Sequence, residues 1–287
     1  MNQAIEPVAV HFQTTDDWTI QGSYFAGNDP KLAIVVSAGT GFPRQFYRAL
    51  AEHFASKGAA VLTYDYRGIG GSVGQPSAFG DIDYPDWGRF DTAAAIEELS
   101  QRHPDLRLCH LAHSVGGHFI GLVENHAKIS RHAFLSVGTG YIGGHHRSHV
   151  PLELYFWWVL GTYSLWKHCA IERVGGWQGE RLPPKLFKTW RRWSHRRPYF
   201  KPELETLMIP HHYEEVTAPI CSWIFADDPI ATQSTARDIL SCYPNAPHEL
   251  IFKAPEDYGV KRIGHEGALR KGREKLWDEV WAWFNKR

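Results

Sequence analysis

Residues 106–118 read Leu-Arg-Leu-Cys-His-Leu-Ala-His-Ser-Val-Gly-Gly-His: a mostly apolar run, Leu106 to Leu111, and directly after it Ala112, His113, Ser114, Val115 and Gly116. The run suits a strand buried on both faces, and the residues after it suit a sharp turn into a helix over Val115 to Ala127. Such a turn lifts a serine hydroxyl out of the sheet and points the next backbone N–H groups at the place where charge develops on a substrate carbonyl. Ser114 is therefore the candidate nucleophile and the Val115 N–H a candidate oxyanion donor. The usual pattern has glycine two places before and two places after the serine. Here Ala112 stands in the first of them, the smallest departure that a side chain allows. Ser136 has the same spacing in Phe134 to Gly138, but Phe134 is bulky and no helical run comes after it, so that segment reads as a core strand.

Outward from this turn the chain alternates. Val8 to Gln13 and Thr19 to Tyr24 read as a hairpin around Asp16 and Asp17. Leu32 to Ser37, Ala60 to Tyr64, Leu106 to Leu111, Ala133 to Val137, Ile220 to Ala226 and Glu249 to Phe252 are short apolar runs typical of buried strands. Helical spacing marks Phe46 to Lys57, Tyr84 to Gln101, Thr235 to Ser241 and Arg270 to Phe284. Strands alternating with helices imply a mostly parallel eight-stranded sheet covered on both faces. From about Tyr141 to Val216 the rhythm stops, and Trp157, Trp158, Trp166, Trp177, Trp190 and Trp193 gather there with a basic stretch around Arg191 to Arg197. An insertion of that length between strands is expected to be a helical cap over 141–216, with 1–140 and 217–287 forming the α/β core.

Composition narrows the classes of partner. The 31 Lys and Arg balance the 31 Asp and Glu, and no long basic run offers phosphate neutralisation, so nucleic acid is not expected. There is no stretch of eighteen uncharged apolar residues, and Met1 to Gln13 lacks a signal-peptide core, so stable membrane insertion is not expected and the location is expected to be cytoplasmic. The four cysteines, Cys109, Cys169, Cys221 and Cys242, are widely spaced and read as reduced thiols with no catalytic part. Oligomeric state leaves no trace in the sequence.

A serine nucleophile needs a base and an acid that orients the base. Ile220 to Ala226 ends in Asp227, Asp228 and Pro229, and a carboxylate at a strand end is well placed to hold an imidazole. Asp228 is the first choice and Asp227 the alternative. Only His248 and His265 come later in the chain, and His248 begins a strand, which leaves His265, 37 residues after Asp228, as the candidate base. The order serine, acid, histidine is that of the α/β-hydrolase arrangement. The bend Ala38, Gly39, Thr40, Gly41 after the third strand supplies a second oxyanion donor, with Thr40 preferred over Gly41.

Taken together, AGTGFPRQFYR (38–48), VLTYDYRGIGGS (61–72), DWGRFD (86–91), LAHSVGGH (111–118), IFADDPIA (224–231) and IGHEG (263–267) resemble the α/β-hydrolase superfamily, in a branch of uncharacterised predicted hydrolases near the serine aminopeptidase-like and monoglyceride-lipase-like groups. The resemblance covers nearly the whole chain. It implies the α/β-hydrolase fold, a cap after the sixth strand, and catalytic roles for Ser114, Asp228 and His265; it implies no particular substrate. The chain departs from the pattern at Ala112 and at Ala38, where many relatives have histidine, and neither change removes a catalytic group. The expected activity is cleavage of a carboxylic ester, thioester or amide of a small molecule through an acyl-enzyme, with no cofactor. The alternatives are acyl transfer to another acceptor on the same groups, or a binding protein without turnover.

Two other patterns do not carry through. Gly39 and Gly41 lack the third glycine of a dinucleotide loop, since Arg44 stands in its place, and Gly68 and Gly70 meet Val73 there. His145, His146 and His149, with His211 and His212, have imidazoles suited to a metal but no carboxylate at a diagnostic spacing, and no metal site is expected from them.

Overall fold

The computed structural model describes residues 5–27, 29–74, 77–173 and 177–286. The eight strands are β1 (Val8–Gln13), β2 (Thr19–Ala26), β3 (Leu32–Ser37), β4 (Ala59–Tyr64), β5 (Arg107–His113), β6 (Ile129–Leu135), β7 (Ile220–Phe225) and β8 (His248–Lys253). They form one sheet in the order β1-β2-β4-β3-β5-β6-β7-β8. The hairpin β1–β2 and its pairing with β4 are antiparallel, and every other pairing is parallel. Every residue of β3, β4 and β7 is buried, as expected of unbroken apolar strands covered on both faces.

The cover comes from α1 (Arg48–Ser56), α2 (Tyr84–Asp86), α3 (Ala93–Arg102), α7 (Gln233–Leu240) and α8 (Glu274–Asn285). α1 packs on β4 and on α8, α3 on β3, and α7 on β7 and β8. The expected helix Tyr84 to Gln101 forms with a widened π turn at Trp87–Thr92, where the Thr92 hydroxyl donates to the Trp87 carbonyl at 2.8 Å. That extra residue brings buried Asp91 to Arg67, whose backbone N–H and Nε both donate to it.

Residues 115–127 differ from expectation. Instead of a helix there are three short 3₁₀ turns, Ser114–Gly117, Ile120–Leu122 and His126–Lys128. Gly116, Gly117 and Gly121 have low helix propensity, and carbonyls that an α-helix would use are taken by distant donors. The Tyr243 hydroxyl reaches the Gly117 and His118 carbonyls, Tyr213 also reaches that of His118, and the His212 N–H donates to Gly121. A smaller correction concerns Ser136, which the expected core strand included. β6 ends at Leu135, and Ser136 turns out of it at φ +53° while its N–H still donates to Trp223.

Between β6 and β7 the regular elements among the described residues are helical. α4 (Val150–Tyr155) runs through a π turn at Phe156–Leu160 into α5 (Gly161–His168), and α6 (Pro184–Ser194) comes next. Among the described residues the one β feature in this stretch is an isolated bridge, Ile171 to Leu182. Trp193 of α6 is fully buried against Tyr84 and Phe119 and docks the insertion onto the core. Among the described residues no helix is long and apolar enough to cross a membrane.

Candidate active site

β5 delivers Ser114 to the carboxyl edge of the sheet. Its last residues align Ala112 with Ser37 of β3 and Phe134 of β6, and the chain then reverses at Ser114 with φ +50°. Such a left-handed backbone is strained for a residue with a side chain and persists only where its surroundings enforce it. The glycine that matters is Gly116: a Cβ there would stand 2.5 Å from the Ser37 carbonyl oxygen. Ala112 is completely buried.

The three residues singled out on chain order meet. Ser114 Oγ lies 2.9 Å from His265 Nε2, and His265 Nδ1 lies 3.0 and 3.1 Å from the two carboxylate oxygens of Asp228. Asp228 is further held by the N–H groups of Ile230 and Ala231, which donate to its Oδ1 at 2.9 and 3.0 Å. Its neighbour Asp227 faces elsewhere and accepts from the Ile263 N–H at 2.8 Å, which ties down the loop that carries His265. Burial works to lower the His265 pKa, yet the charge and hydrogen bond of Asp228 outweigh it and hold the imidazolium above its ordinary range. For Asp228, burial works to raise the pKa, and the charge and hydrogen bond of His265 together with the backbone donors bring it below the usual value.

A second set of bonds, which the sequence reading missed, joins three loops of the site. The Gly39 N–H donates to the Tyr47 hydroxyl at 2.8 Å, and Tyr47 faces His113 Nδ1 at 2.9 Å. His113 Nε2 meets the His265 carbonyl at 3.0 Å. A carbonyl only accepts, so Nε2 carries the proton, Nδ1 accepts, and the Tyr47 hydroxyl is its donor. Burial above all, with the nearby His265 charge, pushes the His113 pKa down to about 3, in keeping with this neutral ring. Space is as tight as the bonding here, because a Cβ on Gly39 would lie 2.8 Å from His113 Nδ1. The adjacency of His113 to Ser114 was the sole trace of this set in the sequence.

Thr40 and Val115 line the same cavity as Ser114 and His265. Thr40 Oγ1 is anchored on the Tyr84 hydroxyl at 2.7 Å, and its backbone N–H has no partner among the described residues. Gly41, the alternative donor, faces the insertion: its carbonyl accepts from the Glu180 N–H, and the Trp177 ring packs against its α-carbon.

The cavity measures ≈ 300 Å³, with core residues for its floor and Leu152, Phe156, Trp157, Leu160, Trp177 and Trp190 of the insertion for most of its walls. Of the other tryptophans in the insertion, Trp193 is core, while Trp158 and Trp166 are exposed. One wall is polar. His145 Nδ1 lies 2.8 Å from both Glu153 carboxylate oxygens, His145 Nε2 faces the Thr139 carbonyl at 3.2 Å, and His149 Nε2 stands 3.7 Å from Glu153. His145 and His149 thus gather around a carboxylate that the sequence reading did not connect with them. The i,i+4 spacing of His149 and Glu153 was its one signal.

Sheet order, crossing helices and the site at the strand ends define an α/β-hydrolase fold, and solved structures share it. A soluble variant of monoglyceride lipase from Saccharomyces cerevisiae, in complex with a substrate analogue, is 14% identical over 99% of this chain and 96% of its own, with a TM-score of 0.72. An esterase of Pyrococcus furiosus is 16% identical over 98% of this chain and 91% of its own (TM-score 0.63). An esterase of Exiguobacterium antarcticum is 14% identical over 97% of this chain and all of its own (TM-score 0.59). Residues 28–151 match the family model described as serine aminopeptidase, S33. No curated protein sequence matches the chain.

Proposed function

We propose that the chain is a serine hydrolase of the esterase and lipase kind, which cleaves a carboxylic ester, or a thioester or amide, of a small molecule in the cytoplasm. In this reading Ser114, His265 and Asp228 form the catalytic triad, the N–H groups of Val115 and Thr40 form the oxyanion hole, and residues 141–216 act as a cap. His265 Nε2 accepts the Ser114 proton as Oγ attacks the carbonyl carbon. The two N–H groups stabilise the tetrahedral oxyanion, and His265 returns the proton to the leaving group as the acyl-enzyme forms. Water, activated by the same histidine, then releases the acid. Asp228 keeps the ring in the tautomer with its proton on Nδ1 and stabilises the imidazolium.

The observation that carries this reading is the hydrogen-bonded series Ser114–His265–Asp228 opening on a mostly apolar cavity. Walls of leucine, phenylalanine and tryptophan favour an apolar acyl or aromatic group. Unpaired cysteines agree with a reducing compartment. The test is labelling by a fluorophosphonate probe together with hydrolysis of short-chain aryl esters. Wild type is expected to label and turn over, and Ser114→Ala to lose labelling and at least about 10³-fold in kcat. Equal activity in the two proteins would refute the mechanism.

A further inference from the structure

At the opposite edge of the sheet from Ser114, His126, His212 and Glu215 each offer a ligand atom, and the three atoms lie within 4.8 Å of one another. His126 sits in the turn that leads into β6, and His212 and Glu215 in the segment that leads into β7, neighbouring parallel strands, so both stand at the amino-terminal ends of those strands. The two imidazoles face each other with centroids 5.7 Å apart and planes at 33°, and His212 Nδ1 lies 3.1 Å from Glu215 Oε1. We infer that these three side chains form a structural site for a divalent cation of the zinc class, which clamps the end of the insertion to the irregular segment after Ser114.

The donor set supports this class. Two neutral imidazoles and a carboxylate suit zinc and its neighbours among the transition metals, whereas calcium and magnesium prefer sites built of oxygen alone. Tetrahedral ligands at about 2.0–2.1 Å from an ion stand about 3.4 Å apart, so the widest separation, at most 4.8 Å, must close by up to about 1.4 Å. Glu215, with 65% of its side chain exposed, has room to supply that movement, and His212 at 27% has some as well. The backbone is already drawn together: the His212 N–H donates to the Gly121 carbonyl at 2.6 Å, and the Glu215 N–H to that of His212. A cation here would hold residues 118–128, which form 3₁₀ turns in place of an α-helix, against 212–215. It would take no part in chemistry at Ser114. The histidine pattern 145, 146, 149, 211, 212 did not reveal this grouping, because His126 and Glu215 complete it from elsewhere in the chain.

The test is thermal unfolding of chelator-stripped protein with zinc chloride, and separately with magnesium chloride. Zinc at a hundred times its dissociation constant is expected to raise the Tm of wild type by about 5 °C, and magnesium to leave it unchanged. His212→Ala and Glu215→Gln should each lose most of the rise, while His11→Ala, on the exposed β1 edge, keeps it. Cobalt(II) should give visible bands of four-coordinate geometry in wild type and not in His126→Ala. Absence of any zinc-induced rise, or an equal rise in the His126→Ala, His212→Ala double variant, would overturn the inference. Should the double variant not fold, Glu215→Gln, at an exposed side chain, decides the matter in the same way. Because the readouts are Tm and a spectrum, they stand apart from the outcome of the esterase test.

Discussion

His265 feels two opposed influences, and their balance sets how the proposed enzyme responds to pH. Burial disfavours the imidazolium, while Asp228 stabilises it through charge and two close contacts, and the result lies above the ordinary histidine value of 6.5. The base works only when neutral, so kcat/KM should rise with pH through an apparent pKa above 6.5. Asp228→Asn removes the stabilising charge. It should shift this acid limb to lower pH and reduce kcat by about 10³-fold or more, since the amide no longer holds the productive tautomer. A pH–rate profile on an aryl ester measures both effects, and an unmoved limb in the variant would deny Asp228 its part. At this scale the sequence was informative about residue type and order. It did not separate Asp227 from Asp228, because adjacent residues at a strand end differ in direction, which depends on where the His265 loop comes to rest.

Between elements, the bonds through Tyr47 and His113 tie together the Gly39 loop, the turn at Ser114 and the His265 loop. Tyr47→Phe removes one hydroxyl and leaves the Gly39 N–H and His113 Nδ1 without partners in a fully buried place. The expected loss of stability is about 1–3 kcal/mol in denaturant unfolding. Because the Gly39 loop leads directly to Thr40, kcat should fall more than KM rises. A variant as stable and as active as wild type would show that the network positions nothing. The same scale explains the missing helix after Ser114. Its pattern was helical enough to predict one, but hydroxyls of Tyr213 and Tyr243, more than ninety residues away in sequence, claim its carbonyls. A local reading has no access to such partners.

Across the whole molecule, four buried histidines make stability sensitive to acid. Burial lowers the pKa of His110 to about 3, of His113 to about 3 and of His118 to about 4, and takes His132 well below its usual value. His110 and His132 face each other through their Nδ1 atoms at 3.1 Å across β5 and β6, so one donates to the other and both stay neutral. As pH falls below 6.5 the unfolded chain takes up protons that the folded chain refuses, and stability present at neutral pH is lost. Each such group contributes up to about 1.4 kcal/mol per pH unit; the raised pKa of His265 opposes them slightly, and that of buried Asp91, pushed up to about 7, opposes them by about 1 kcal/mol, so the loss between pH 6.5 and 5.5 should be about 3 kcal/mol. Urea unfolding at the two pH values measures it, and a flat profile would contradict the burial of these rings.

The sequence by itself determined the mostly parallel sheet, the place of the long segment between its sixth and seventh strands, and the order in which Ser114, the Asp227–Asp228 pair and His265 occur along the chain. These come from hydrophobic period and chain order, which are properties of the chain taken in one dimension. Only the tertiary structure decided that Asp228 rather than Asp227 meets His265, that Thr40 rather than Gly41 borders the cavity, that Trp157, Trp177 and Trp190 line it while Trp193 is core, and that His126 stands beside His212 and Glu215. Each of these depends on side-chain direction and on contacts between distant segments, which exist only once the chain is packed.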